Sequence, residues 1–111
     1  MINWKPIQTK EEAKNAFENS QNAWIMFFKH STTCGISAAA KYELDQNWDL
    51  ENIQTFYVDL LVFREVSNYI AELTGVIHQS PQVILIKDKK ARQMFSHYAI
   101  KVSKIKEVVD N

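Results

Sequence analysis

Apolar positions along this chain change rhythm from segment to segment, and each rhythm predicts an element. A short strand near Trp4 to Ile7 precedes a helix on which Ala13, Ala16, Phe17 and Ser20 share one face, with Thr9 as N-cap and Glu12 as its capping-box partner. The unbroken run Ala23 to Phe28 reads as a strand buried on both faces, as in a sheet covered by helices, and is expected to be central. Ile36, Ala40, Leu44 and Trp48 recur every fourth position, which predicts an amphipathic helix whose stripe is core. Ile53 to Val58 is a further strand, followed by a helix carrying Phe63, Val66, Ile70 and Leu73 and ending at Gly75. Strand, helix, strand, helix implies a right-handed crossover. Val83 to Ile86, a polar turn at Asp88 to Lys90, and Arg92 to Ser96 then predict an antiparallel pair, before a last helix burying Val102, Ile105 and Val109. No repeat, low-complexity tract or linker interrupts the series.

A length of 111 residues suits one domain, spanning 1–111, with a core of its own. Lys plus Arg number 13 and Asp plus Glu 13, so the balanced charge gives no electrostatic case for nucleic acid or an anionic membrane surface. Met1 to Lys10 lacks the apolar core of a signal peptide, and the Ala23 to Phe28 run is too short to span a bilayer, so a cytoplasmic location is expected. His30, His78 and His97 show no metal-ligand spacing, and no metal site is expected.

One cysteine excludes an intrachain disulfide. That residue, Cys34, falls between the predicted central strand and the helix beginning near Ile36, in the polar, turn-like stretch Ser31, Thr32, Thr33, Cys34, Gly35. Helix N-termini carry unpaired N–H groups and partial positive charge, which favour an anion such as a thiolate. A lone thiol at such a junction points to thiol transfer with an outside partner.

The order of elements resembles the thioredoxin-like fold, an α/β architecture with a central mixed four-stranded sheet flanked by helices, βαβαββα. In that fold a redox Cys stands after the central strand, as Cys34 does, and a cis-proline starts the strand after the crossover, where Ser80, Pro81, Gln82 stand. The resemblance implies that the backbone of Ser80 pairs with a bound thiol or peptide. Cys34, Gly35, Ile36, Ser37 carries serine where a dithiol site has its second cysteine, so the resolving thiol must come from outside. Ser37, one helical turn on, could hydrogen-bond the sulfur.

Among monothiol members, Phe27, Phe28, Lys29, His30, Ser31, Thr32, Thr33, Cys34, Gly35, Ile36, Ser37 and the segment Val76 to Gln82 resemble the monothiol bacilliredoxins. The resemblance implies removal of bacillithiol from S-bacillithiolated client proteins. Cys34 is the nucleophile, bacillithiol the thiol co-substrate with no resident cofactor, and an external thiol the reductant. Bacillithiol carries malate carboxylates, for which Lys29 and Arg64 are the candidate cations. Cys-Gly-Ile-Ser also resembles the Cys-Gly-Phe-Ser site of monothiol glutaredoxins, which bind a bridging [2Fe–2S] cluster with glutathione. Their Gly-Gly-x-Asp turn is replaced here by Asp88, Lys89, Lys90, Ala91. A third alternative is a non-catalytic thioredoxin-fold module that binds partners near Pro81.

Overall fold

In the computed structural model, which describes residues 1–111, the elements run β1 (Trp4–Pro6), α1 (Lys10–Glu18), β2 (Trp24–His30), α2 (Gly35–Asn47), β3 (Ile53–Asp59), α3 (Arg64–Thr74), β4 (Gln82–Lys87), β5 (Lys90–Ser96) and α4 (Val102–Val109). A single 3-10 turn, His97–Ala99, joins β5 to α4. The sheet has five strands, ordered β1-β3-β2-β4-β5, and not the four expected. The extra strand is β1, whose three residues extend the sheet by parallel pairing with β3, Trp4 opposite Thr55.

β2 is central and runs on to His30, since every residue from Ile25 is buried. It pairs parallel with β3 and antiparallel with β4, so Lys29 lies between Val58 and Gln82. Alternation along the strand divides the core in two. Ile25 and Phe27 face α1 and α3 with Val66, Ile70 and Ile84. Met26 and Phe28 face α2 and α4 with Leu44, Trp48, Leu85 and Ile105. The register therefore sends Lys29 toward α3 and His30 toward α2, and that parity decides what each can touch.

The local signals act largely as their chemistry predicts. Thr9 caps α1 by accepting the Glu12 N–H at 3.0 Å, while the Glu12 carboxylate reaches one residue further back than a capping box, to the Gln8 N–H at 2.9 Å. Gly75 ends α3 in a left-handed conformation, φ 71°, where a Cβ is strained. Asp88 and Lys89 turn β4 into β5 with both φ values positive, and the strand resumes at Lys90, two residues before the predicted Arg92. On α2 the inward stripe is Ser37, Ala40, Leu44; Ile36 is only half-buried, because the helix is rotated so that the serine points into the sheet.

Candidate active site

Cys34 is the N-cap of α2, in extended conformation. Its N–H donates to the Ser31 carbonyl at 3.3 Å, and its own carbonyl accepts the first helical bond, from the Ala38 N–H at 3.0 Å. The loop is thereby turned so that the thiol stands at the start of a 13-residue helix whose first N–H groups have no intrahelical acceptor. The thiol is free, partly exposed and makes no capping bond. Thr33 beside it is exposed, its hydroxyl 3.5 Å from that of Ser31. Gly35 opens the helix with open space where a Cβ would stand. Ile36 borders a small cleft of about 50 Å³ with Ala39, His97 and Tyr98. Cys34, partly exposed, lines none of the molecule's cavities.

Ser37 does not serve the sulfur as expected. Its side chain is fully buried, and its oxygen accepts the Ser31 N–H at 2.9 Å and lies 2.6 Å from His30 Nδ1. Those two bonds tie the end of β2 to the first turn of α2. His30 stacks on Phe28 and lies tilted against Tyr57 on the α2 face. Burial, reinforced by Lys41, holds its imidazolium below the usual range against the opposing pull of Asp59.

The second wall of the site is the segment before β4. The Ser80–Pro81 bond is cis. Gln82, fully buried, holds the segment by donating to the Ile77 carbonyl at 3.0 Å and accepting the Gln79 N–H at 3.4 Å. The Pro81 carbonyl accepts the His97 N–H at 3.1 Å, which fixes His97 at φ 54°. Ser80 Oγ is buried without a partner, alone among the buried side-chain polar atoms. Because Gln82 is registered against Lys29, Ser80–Pro81 and the Cys34 loop leave the sheet at the same end.

The two candidate cations part company. Arg64 begins α3 and is exposed. Lys29, expected to reach a substrate carboxylate, is fully enclosed. Strand alternation turns it under α3, where its ammonium lies 3.3 Å from His78 Nδ1. Burial pushes it down to about 8. Direct contact between Lys29 and a substrate is therefore excluded by its place in the core. Ser67, buried one turn beyond Arg64, brings its hydroxyl to 3.2 Å from the same His78 nitrogen.

Sequence reasoning gave no role to His78, Ser67 or Gln82. The signal available was the antiparallel register, which sets Lys29 opposite Gln82 and so close to the Val76 to Gln82 segment. No group of three or more His, Cys, Asp or Glu side chains comes together as a metal site, and no helix is long and apolar enough to cross a membrane.

Residues 5–105 match the family model described as monothiol bacilliredoxin BrxC. Among solved structures, the chain is similar to a thioredoxin-fold protein assigned provisionally as an oxidoreductase, with 25% identity, a TM-score of 0.84 and coverage of 96% of this chain and 93% of that one. Thioredoxin from Trypanosoma brucei brucei superposes with a TM-score of 0.79 at 12% identity, covering 98% and 93%. Thioredoxin from Fasciola hepatica does so with 0.75 at 15%, covering 96% of each chain. The last two likenesses carry the thioredoxin fold alone.

Proposed function

Since this chain belongs to the monothiol bacilliredoxin family, we propose that it removes bacillithiol from S-bacillithiolated proteins, with Cys34 as nucleophile. The observation that carries this reading is a solitary, free and partly exposed thiol at the N-terminus of α2, outside every cavity of the molecule. In the first step the Cys34 thiolate attacks the bacillithiol sulfur of the mixed disulfide. The S–S bond between the client cysteine and bacillithiol breaks, the client cysteine leaves as a thiolate and takes a proton from water, and a Cys34–bacillithiol disulfide remains. Ser37 cannot resolve it, so an external thiolate attacks in a second exchange, returning Cys34 to its reduced form and carrying bacillithiol away as a new disulfide.

The chain's residues support each step. The N–H groups at the start of α2 favour negative charge on the attacking and departing Cys34 sulfur. Ser80 makes no backbone hydrogen bond within the chain, leaving its N–H and carbonyl for pairing beside the disulfide. Arg64 is the exposed cation for the bacillithiol carboxylates. No resident cofactor enters the mechanism.

Incubation of the reduced protein with a bacillithiolated client, beside a glutathionylated one and a Cys34→Ser control, tests the reading by intact mass. Bacillithiol transfer to wild type alone, faster than glutathione transfer, is the expected result. Absence of an adduct from either client refutes it and turns attention to the visible spectrum of anaerobically prepared protein, where a bridging cluster would absorb.

A further inference from the structure

Lys29 is a fully buried cation with no carboxylate beside it. Lys14, Lys41, Arg92 and Lys106 all form ion pairs, but neither Lys29 nor Arg64 belongs to any. A buried charge carries a desolvation cost that hydrogen bonds or opposite charges beside it must offset. The group in contact with Lys29 is His78. The Lys29 ammonium, which can only donate, lies 3.3 Å from His78 Nδ1, and the Ser67 hydroxyl lies 3.2 Å from the same nitrogen. A ring nitrogen that accepts is unprotonated, so the proton of the neutral imidazole sits on Nε2. Burial, then the charges of Lys29 and Arg64, hold His78 below its usual range, which keeps the ring neutral near pH 7.

Nε2 has no partner in the chain, and it is not among the buried unsatisfied atoms, of which Ser80 Oγ is the single case. The N–H of Nε2 therefore faces solvent. It does so two residues from Ser80, in the segment that ends in the cis-proline. Arg64 lies three residues before Ser67 and shares its side of α3.

Building on the thiol-transfer reading above, we propose that His78 Nε2–H and the Arg64 guanidinium form a carboxylate-binding site for the anionic low-molecular-weight thiol exchanged at Cys34. Lys29 and Ser67 are positioning residues behind the imidazole. They fix its tautomer and make the site positive, and Lys29 touches no ligand.

The test uses one client peptide carrying either of two adducts, mercaptosuccinate or neutral 2-mercaptoethanol, and follows transfer of each to Cys34. Wild type is expected to favour mercaptosuccinate by about tenfold in kcat/KM, through KM, as a charge-assisted hydrogen bond supplies. The ratio of the two rates falls toward one in His78→Asn and in Lys29→Met, and is partly kept in His78→Gln, whose amide nitrogen reaches the Nε2 position. In parallel, succinate is titrated into Cys34→Ser protein labelled at histidine nitrogen, and the His78 Nε2 resonance is expected to move while that of His97 does not. Equal transfer of both adducts by wild type, or an unaltered preference in His78→Asn, overturns the carboxylate site while the thiol-transfer reading stands. Movement of His78 by succinate with transfer of neither adduct supports the site and refutes the thiol-transfer reading. Neither movement nor transfer overturns both.

Discussion

A lysine with no accessible surface at the end of the central strand is an expense in stability, and its size can be measured. Burial moves the Lys29 ammonium from an ordinary 10.5 to about 8. Below pH 8 it is charged in the folded and unfolded chain alike, and the desolvation penalty is fully present. Between about 8 and 10.5 the unfolded chain binds more protons than the folded one, so the penalty fades as pH rises. Lys29→Met should therefore stabilise the protein by about 1–3 kcal/mol at pH 7, and by less at pH 10, in urea unfolding. An unchanged midpoint at pH 7 would mean that His78 and Ser67 already offset the burial. Ser37 carries a different lesson. Its side chain turns inward to His30 and Ser31, so the position that a dithiol site gives to its second sulfur is occupied by a structural hydroxyl. Ser37→Cys is expected to resolve the mixed disulfide internally, so that the adduct on Cys34 no longer accumulates and titratable thiols fall on oxidation. Persistence of the adduct at the wild-type level would show that the inward rotamer keeps the new thiol from Cys34.

The helices differ in how firmly their ends are specified. Gly35 and Gly75, the two glycines of the chain, make the contrast. Gly75 holds φ 71° at the end of α3, and a side chain there is strained although nothing crowds it. Gly35 occupies the first helical position of α2, with open space around it and no positive φ. Proline is favoured at that position, since its fixed φ suits the helix and its missing N–H has no intrahelical acceptor to lose. Gly35→Pro should thus be neutral or stabilising by up to about 1 kcal/mol, whereas Gly75→Ala should cost about 1 kcal/mol, both read from thermal or urea unfolding. A larger loss for Gly35→Pro than for Gly75→Ala would contradict this account of the thiol loop.

For the molecule as a whole, two half- to fully buried histidines set the acid side of its stability. Burial lowers both His30 and His78 from the ordinary 6.5. As pH falls through 6.5 the unfolded chain takes up protons that the folded chain resists, so stability is lost from that point downward. Urea midpoints are expected to drop between pH 7.5 and 5.5 by on the order of 1 kcal/mol, and His78→Asn should flatten part of that slope. A flat wild-type profile over this range would show that the two imidazoles titrate as in free solution. Most of the architecture could be read in the sequence because burial alternates so sharply: Ala23 to Phe28 announces a covered central strand, and the spacing through Ile70 announces α3. What could not be read depended on parity and rotation. One residue separates Lys29 from His30, yet the sheet sends them to opposite faces, one toward His78 and the other toward Ser37. The short strand near Trp4 to Ile7 is legible in the sequence, while its place in the sheet is not, since three residues ending in Pro6 carry no mark of the strand they pair with. Those same three residues matter for how the molecule meets others. Pro6 denies the outer side of β1 a backbone donor, and on the opposite border β5 bears Lys90 and Arg92 and breaks register with β4 between Leu85 and Ile86. Neither border is a good template for a sixth strand. Chain-to-chain stacking through the sheet is blunted at both sides, so the thiol at the C-terminal end of β2 stands apart from any route by which copies of the chain would add strand to strand.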